Sequence, residues 1–457
     1  MPTNWAISAA IFNFLFHRTI LWVYSSSIFY NLIYVYIVYI YIFWNFVEFC
    51  SLFATLLKKL AKILNMISNI IEKLVSLDKV IFNENPFHKC KLHEICSYIA
   101  MYPAKLVNKL IQAYTKEGDS IYDPFSGRGT TLLEARLLNR RAYASDLNPL
   151  SYVITKSKTH SLNKNKIFTR IKQLEKEYCT LKISINQDDY DYMKTYFSDS
   201  VYKQLCFLKE TLGKNWKTLD DVDTFILACL LGILHGPSRK DGTSLFLSIS
   251  MSNTNSMSKD YVDNYVRKHH LVFPKNENIF EKLREKVEKS FSDFQLYSNK
   301  EYPIGNIKLC NALDCHKNFD DTEFDCIITS PPYLNIFNYT RENWIRLWLL
   351  GFNKPNLNNE IKLDDNHSYD EYRIFITNFM DSAYKALKKD GKLIMIVGDV
   401  ENKYKFLNLW NEIKSGVKFE LVDSCKDERA NNKSTRKNGV KSGKATKVDN
   451  ICLFRKK

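Results

Sequence analysis

The run 120–146 constrains the fold more than any other part of this chain. Its first four residues have the apolar character of a short strand, and a turn that contains Gly127 and Gly129 follows them. Residues 130–138 then show helical spacing of apolar side chains, and a second predicted strand ends at Asp146. Strand, glycine turn, helix, strand and acid, in that order, open a doubly wound α/β nucleotide-binding sheet. The sequence therefore predicts an α/β fold with a mostly parallel sheet.

Apolar periodicity divides the rest of the chain into further parts. Residues 151–305 are rich in Lys, Tyr and Asp, and helical spacing recurs there at 198–212, 220–234 and 277–295. We interpret this region as a mostly helical insertion, because strand patterns return after it. The predicted organisation is a hydrophobic N-terminal segment, a cofactor-binding half of the sheet domain, the insertion and a catalytic half, at 1–65, 66–150, 151–305 and 306–457.

The hydrophobic N-terminal segment carries no charged residue at 19–47. A run of this length exceeds the ~18 apolar residues that indicate a membrane span. It is too long for the apolar part of a signal sequence. A third interpretation, which we favour, is translated A/T-rich spacer ahead of a true start at Met66. The membrane is then a partner only if 19–47 is genuinely expressed, and a cytoplasmic location is expected.

The charge balance indicates a polyanionic partner. Lys and Arg number 65 against 50 acidic residues, which gives a formal net charge of +15. An excess of this size favours nucleic acid or an anionic membrane surface. The 11 cysteines form no C-x-x-C pair, which is typical of reduced thiols rather than of a zinc site. The sequence therefore predicts no metal centre.

The glycine turn and Asp146 form the first candidate site. Two glycines two positions apart, in the segment DPFSGRGTT at 123–131, let the main chain turn tightly and approach a ligand closely. A carboxylate at Asp146 can accept hydrogen bonds from both ribose hydroxyls of a nucleoside. The structural alternatives are an ordinary βα turn and a helix N-cap before Pro149.

A second candidate site follows the predicted strand 324–329. There the segment SPPY at 330–333 joins two consecutive prolines to an aromatic ring. Each proline fixes its own φ, so the loop is rigid and holds the Ser330 hydroxyl and the neighbouring carbonyls as acceptors. Such acceptors can hold the N–H bonds of an exocyclic amine and free its lone pair, while Tyr333 stacks on a base rotated out of the duplex. The alternative is a rigid turn without chemistry.

Together these motifs resemble the amino-group DNA methyltransferases, the class that makes N4-methylcytosine or N6-methyladenine. The resemblance runs from about residue 93 to about residue 454 and includes 338–351, which resembles the helix after the catalytic loop. It implies the sheet of S-adenosylmethionine-dependent methyltransferases and a catalytic tetrapeptide of Ser330, Pro331, Pro332 and Tyr333. It also implies S-adenosylmethionine as the cofactor, held by Pro103, Lys105, Asp123, Phe125, Gly127, Gly129, Thr130, Asp146 and Asn311.

One residue departs from the family pattern. Members often carry an Asp before the catalytic strand that contacts the adenine of the cofactor, and this chain has Asn311 there. An Asn can still hydrogen-bond an adenine edge, and Asp314 is a candidate substitute.

The resemblance implies direct displacement at a flipped base of double-stranded DNA, with Ser330 and the Pro331 carbonyl as proton acceptors. Neither a metal nor a covalent enzyme–base intermediate is needed. Because the cofactor motif precedes the catalytic motif, 151–305 is the candidate target-recognition region, and 239–258 is its candidate source of phosphate and base-edge donors. The alternative is that 239–258 forms a structural loop. A Ser in the first position of the tetrapeptide favours cytosine N4. The expected context is a restriction–modification system with a cognate restriction endonuclease.

Three other functions stay open. Adenine N6 is the first, because adenine enzymes with Ser in that position also exist. An RNA guanine-N2 methyltransferase resembles the same motif pair, although such enzymes usually carry an added RNA-binding domain near the N-terminus. A membrane-anchored nucleic-acid binder without turnover would require a genuine span at 19–47 and a cofactor site disabled by Asn311. The basic segment 426–447 is predicted to be a loop that either tracks phosphates or is simply solvated.

Overall fold

A computed structural model divides the chain into two compact units, Met1–Leu74 and Val75–Lys457. It describes residues 60, 62, 76–82, 87, 89–98, 101–274, 278–292, 303–320, 322–334, 338–353, 357–363, 367–399, 404–427 and 448–457. The apolar segment 19–47 and nearly all of the basic segment 426–447 therefore lie outside the described residues. Within the described ranges, no helix combines the length and the apolar character that a membrane crossing requires.

The second unit is organised around one sheet. Its strands are β1 Ser120–Asp123, β2 Arg141–Asp146, β3 Asn306–Leu309, β4 Phe324–Thr329, β5 Leu387–Gly398, β6 Phe419–Asp427 and β7 Asp449–Lys456. They lie in the order β3-β2-β1-β4-β5-β7-β6. Neighbouring strands are parallel except at β7, which pairs antiparallel with both β5 and β6. The predicted doubly wound, mostly parallel sheet is confirmed.

Helices flank the sheet or follow one another between β2 and β3. Their bounds are α1 Leu77–Phe82, α2 Ala104–Tyr114, α3 Thr130–Leu137, α4 Pro149–Lys156, α5 Lys164–Thr180, α6 Gln187–Met193, α7 Asp199–Leu208, α8 Asp221–Ile233, α9 Lys259–His269, α10 Ile279–Phe291, α11 Tyr339–Glu342, α12 Trp344–Leu349, α13 Leu357–Glu360, α14 Tyr369–Ala386 and α15 Phe406–Ile413. Three single turns add to them, at Lys91–Glu94, Lys209–Gly213 and Ala312–Lys317.

The central strands β1 and β4 are buried on both faces. Side chains alternate between the two faces along each strand, and helices cover both faces. On one face, Tyr122 and Ile327 pack with helices α14 and α15. On the other face, Ile121 and Ile328 pack with α1, α2 and α3. The result is a three-layer arrangement of helices, sheet and helices, with loops at the ends of the strands. Residues at those ends are the ones that can line a ligand site.

The helices between β2 and β3 share one apolar cluster with parts of the sheet domain. Phe225 of α8, Leu205 of α7 and Phe280 of α10 belong to it, together with Leu133 of α3 and Trp348 of α12. The predicted boundary between residues 150 and 151 falls inside α4, which contacts both β2 and β3. The helical region that leaves the sheet therefore begins after Lys156.

Strands β1 and β4 have their predicted bounds, and β2 ends at Asp146 as predicted. The segment that follows the catalytic loop differs from its prediction. Two short helices, α11 and α12, replace one continuous helix at 338–351. The break lies at Asn343, whose φ of −119° is not helical, and whose side-chain amide donates to the Tyr339 carbonyl at 3.0 Å. A side chain bonded to the preceding turn in this way competes with the helix.

Candidate active site

The glycine turn follows β1 and forms one wall of a cleft at the carboxyl ends of the parallel strands. Gly127 and Gly129 both have positive φ, +51° and +74°, which L residues with a side chain rarely adopt. A Cβ on Gly129 would lie 2.9 Å from Oγ1 of Thr155. The turn can therefore pass close to α4 and begin helix α3 only because these positions carry no side chain.

Asp146 ends the neighbouring strand β2 and orders the turn. One carboxylate oxygen accepts the main-chain N–H of Gly127 at 2.9 Å, and the other accepts that of Asn148 at 2.9 Å. Burial raises the pKa of Asp146 to about 6, and these two N–H groups act against the rise. Each oxygen keeps a second lone pair, so the ionised carboxylate can still accept hydroxyl groups from a ligand.

Asp123 connects the glycine turn to the end of β4, where the SPPY segment begins. It is fully buried, and its carboxylate accepts the hydroxyl of Tyr102 at 2.6 Å and the hydroxyl of Thr329 at 2.6 Å. The main-chain N–H of Phe125 donates to it at 3.2 Å. Burial raises the pKa of this carboxyl, and the hydrogen bonds from Thr329 and Tyr102 oppose the rise. Three separate segments of chain are thus held by one side chain.

The SPPY segment begins directly after Thr329, at the carboxyl end of β4. Ser330 is half-buried, and its hydroxyl lies 3.5 Å from the hydroxyl of Tyr333. Pro331 is buried, whereas Pro332 and Tyr333 are half-buried. Because β1 and β4 are neighbours in the sheet, this loop lies beside the glycine turn.

A cleft of about 800 Å³, including its open mouth, lies between the two loops. Seven of the thirteen sequence-predicted site residues line it, namely Phe125, Gly127, Thr130, Asp146, Asn311, Ser330 and Pro332. Four others are buried or half-buried beside the cleft without lining it: Asp123, Gly129, Pro331 and Tyr333. Both loops and the end of β2 therefore contribute to one concave site.

Two predicted cofactor residues, Pro103 and Lys105, are exposed and do not line the cleft. Pro103 is the N-cap residue of α2, and Lys105 lies in the first turn of that helix. Their neighbours Met101 and Tyr102 line the cleft instead. The proposed substitute Asp314 lies outside it as well and forms an ion pair with Lys317 at 3.1 Å.

Asn311 lies at the carboxyl end of β3 and lines the cleft. Its side-chain oxygen accepts the main-chain N–H of Leu313 at 2.9 Å and so begins the turn Ala312–Lys317. The amide nitrogen of the Asn311 side chain has no hydrogen-bond partner among the described residues, which leaves a donor beside the cleft.

Several cleft residues were not predicted. Tyr98, Leu363 and Phe375 come from segments without a motif, whereas Arg128, Leu147, Asn148 and Tyr339 lie in or directly beside the predicted motifs. Tyr98 accepts hydrogen bonds from Asn148 at 3.1 Å and Ser151 at 2.9 Å, and its ring stacks on Tyr339 with centroids 6.0 Å apart. Arg128 lies within the predicted glycine turn. Its positive charge in a turn predicted to approach a ligand was the sequence signal that could have identified it.

Comparison with protein families identifies the class to which this site belongs. The model of the DNA methylase family, of the N6 and N4 type, matches residues 4–158 and 324–456, which is more than half of the chain. The chain belongs to the amino-group DNA methyltransferases. This membership makes S-adenosylmethionine the cofactor.

Curated relatives of this amino-group DNA methyltransferase include three Type II methyltransferases. M.BsoBI from Geobacillus stearothermophilus is 24% identical over 305 residues, which cover 63% of this chain and 58% of that protein. M.MvaI from Kocuria varians is 25% identical over 256 residues, covering 51% and 52%. M.MjaII from Methanocaldococcus jannaschii is 23% identical over 391 residues, covering 69% and 73%. The chain spans little more than half the length of the first two.

Solved structures give weaker superpositions. TrmN from Thermus thermophilus is 11% identical, with a TM-score of 0.31 and coverage of 82% of this chain and 55% of that one. The rRNA methyltransferase aviRa from Streptomyces viridochromogenes is 10% identical, with a TM-score of 0.30 and coverage of 82% and 89%.

The cleft of this methyltransferase fits S-adenosylmethionine on the chemistry of its own residues. The Asp146 carboxylate can accept ribose hydroxyls, and Asn311 has an unused amide donor for an adenine edge. Phe125 and Ala312 add apolar surface against which a flat ring can pack. The two glycines leave the main chain of the turn open to close approach.

Proposed function

We propose that this protein transfers the methyl group of S-adenosylmethionine to an exocyclic amino group of a base in double-stranded DNA. Cytosine N4 is the first candidate atom and adenine N6 the second. The cofactor supplies an electrophilic methyl group on a positively charged sulfur. The amine lone pair forms the new N–C bond, the S–CH₃ bond breaks, and one amine proton leaves to an acceptor in the site or to water.

The observation that carries this proposal is the meeting of two loops in one cleft. Ser330 and Pro332 line the same cavity as Gly127 and Asp146. A cofactor held by the glycine turn and Asp146 would therefore end beside the SPPY segment. The Ser330 hydroxyl and the Pro331 carbonyl would then accept the N–H bonds of the amine, which localises its lone pair on nitrogen.

Tyr333 is the proposed stacking surface for the flipped base. Its ring is half-buried, and its hydroxyl lies 3.5 Å from the Ser330 hydroxyl. Burial raises the pKa of this phenol above its ordinary value, so the ring stays neutral while it contacts a base. A neutral ring held by two prolines is a rigid surface for stacking.

We propose the helical region after Lys156 as the source of DNA contacts, with 239–258 as its reading segment. Arg239 and Lys240 are exposed in a turn that the main-chain bond from Gly242 to Arg239 closes at 3.1 Å. The curated relatives are named Type II methyltransferases. By analogy with those names, we propose that this protein acts in a restriction–modification system beside a cognate endonuclease.

The test is methyl transfer from labelled S-adenosylmethionine to unmethylated plasmid DNA by the full chain, followed by mass spectrometry of the nucleosides. Ser330→Ala removes the hydroxyl acceptor, and we expect transfer to fall about 100- to 1,000-fold while cofactor binding persists. The matched control is Ser292→Ala, which alters an exposed serine whose hydroxyl donates to the Lys289 carbonyl at 3.0 Å.

N4-methylcytosine in the wild-type reaction would support the proposal in full. N6-methyladenine would show that the target atom is adenine N6 instead of cytosine N4. Cofactor binding without transfer to any DNA would contradict a DNA substrate, and the same assay on structured RNA would then decide the guanine-N2 alternative. Wild-type activity in Ser330→Ala would exclude the proposed role of that hydroxyl.

A further inference from the structure

Arg128 brings a positive charge into the wall of the cleft. It lies between the two glycines of the turn and is half-buried. Its Nη1 donates to the His93 carbonyl at 3.0 Å, and its Nε donates to the Thr130 hydroxyl at 3.3 Å. Both acceptors are neutral, and a guanidinium has five N–H groups, so most of its donor capacity is unused.

No carboxylate pairs with this guanidinium in the part of the chain that the structure describes. Glu94, on the neighbouring turn, is paired with Lys89 at 2.7 Å and with Lys91 at 3.8 Å. Glu134 is bonded to His93 at 2.6 Å and to Asn108 at 2.7 Å. These two acids are thus already engaged with other side chains.

The group that lies against Arg128 is basic and not acidic. The Lys158 side chain is fully buried, and its amino group donates to the main-chain carbonyl of Arg128 itself. Partly burying a guanidinium is costly unless a counter-charge is present. Since no carboxylate among the described residues pairs with Arg128, a bound anion can supply that counter-charge.

Among the residues that line the cleft, Asp146 carries the carboxylate proposed to accept ribose hydroxyls, and Arg128 carries a guanidinium. The amino-acid part of S-adenosylmethionine carries a carboxylate and an ammonium group, and of these two the carboxylate is the one that can accept hydrogen bonds from a guanidinium. Lys105, the basic residue among those that the family resemblance implied for the cofactor, is exposed and does not line the cleft.

We infer that Arg128 binds the carboxylate of the methionine part of the cofactor and selects ligands that carry it. The inference rests on the proposed function, since it takes the cleft as the cofactor site. A planar guanidinium can offer two parallel N–H groups to a carboxylate, which an ammonium group cannot. The bound carboxylate would thereby neutralise the positive charge of Arg128.

The experiment compares S-adenosylmethionine with its decarboxylated analogue, which differs at that one group. Binding of each to the full chain is measured by titration calorimetry, without DNA. We expect the wild type to prefer the carboxylated compound about 10- to 100-fold, as a charge-assisted hydrogen bond supplies. In Arg128→Gln the preference falls to about 1, and affinity for the decarboxylated compound is unchanged or tighter because repulsion is relieved.

Two further variants separate charge from structure. Arg128→Lys keeps the positive charge but loses the two parallel N–H groups of the guanidinium. It should therefore retain part of the preference for the carboxylated compound. Arg141→Gln is the matched control, since this exposed arginine also donates to a main-chain carbonyl, that of Gly118, at 3.0 Å. It should bind both compounds as the wild type does.

Equal weakening of the binding of both compounds by Arg128→Gln would make Arg128 a structural residue and overturn the inference. An unchanged preference for the carboxylated compound in Arg128→Gln would overturn it as well. Either result leaves the proposed function standing, because the cofactor still binds the cleft in the wild type. A wild-type protein that binds neither compound would overturn the proposed function and this inference together.

Discussion

Lys158 is the residue whose surroundings are most unusual for its type. Its side chain is fully buried, and its ammonium group donates to the Arg128 carbonyl, with no carboxylate partner in the described part of the chain. Burial and the nearby charge of Arg128 lower its pKa from 10.5 to about 7, while the thiols of Cys96 and Cys90 act weakly in the other direction. The folded protein therefore gives up this proton more readily than the unfolded chain does.

Lys158→Met tests the consequence for stability. Above about pH 7 the unfolded chain holds a proton that the folded protein has lost, so the wild-type free energy of unfolding should rise with pH. Relative to Lys158→Met, the rise should approach about 1.4 kcal/mol per pH unit and cease near pH 10.5. Urea unfolding between pH 6 and 9 measures it.

The control is Lys389→Met, which alters an exposed lysine at the start of β5 and should give a curve parallel to the wild type. A wild-type curve parallel to that of Lys158→Met would show that Lys158 keeps an ordinary pKa in the folded protein.

At the scale of elements, a turn at 252–256 is held by two buried side chains. Nδ1 of His235 bonds the Ser252 carbonyl at 2.7 Å, and its Nε2 lies 3.2 Å from the Ser256 hydroxyl. Burial, with the charge of Arg346, lowers the pKa of His235, so the ring is neutral with its proton on Nδ1. Arg346 is fully buried and donates to the carbonyls of Leu231 at 3.1 Å and Asn253 at 2.6 Å. The turn is therefore fixed before any ligand arrives.

Arg346→Met should destabilise the protein strongly, because it leaves two buried carbonyls without their donors. We expect a loss of roughly 3 kcal/mol or more in the free energy of unfolding, since each unsatisfied buried group costs about 1–3 kcal/mol. Denaturant unfolding of the full chain measures it. Arg141→Gln serves as the comparison, and its effect should stay within about 0.5 kcal/mol. Equal effects of the two variants would contradict the role of Arg346.

The elements that the sequence predicted well are those whose burial repeats with one period. Strands β1 and β4 have their predicted bounds, and β2 has its predicted end, because one face or both faces pack on apolar neighbours. Strand β6 was not predicted. It lies at the edge of the sheet with a mixture of polar and apolar residues, and its pairing with β7 is non-local. Such pairing leaves no periodic signal in the strand itself.

The sequence motifs of the candidate site could be predicted, but the full set of side chains that line the cleft could not. The glycine turn, Asp146 and the SPPY segment are local patterns, and the structure brings residues of all three to one cleft. Tyr98, Leu363 and Phe375 join that cleft from segments far apart in sequence. Which of these side chains meet depends on the order of strands in the sheet, and no short pattern contains that information.

For the whole molecule, a formal net charge of +15 makes DNA affinity depend on salt. The logarithm of the binding constant should fall linearly with the logarithm of salt concentration, by about 0.9 for each phosphate contacted. If the turn at 239–242 contacts phosphates, Arg239→Gln with Lys240→Gln should reduce the slope by about 2. Fluorescence anisotropy with duplex DNA at several salt concentrations measures this.

The control is a second double variant that removes the same number of positive charges as Arg239→Gln with Lys240→Gln. Lys116→Gln with Lys389→Gln removes two exposed lysines that precede β1 and begin β5, at the opposite edge of the sheet from the cleft. We expect its slope to match the wild type. Equal slopes for the two double variants would show that the turn at 239–242 does not contact the phosphates.

The apolar cluster that joins α7, α8 and α10 to α3 and α12 affects how such a protein can diversify. A region that leaves the sheet after β2 and returns at the adjacent β3 would be simple to exchange between genes if it folded by itself. Here an exchanged cassette would meet Leu133 and Trp348 of its new host, and a mismatched contact would leave a void at the base of the glycine turn. Recombination is thereby penalised, and new sequence preferences should arise by substitution on the exposed surface of the helices.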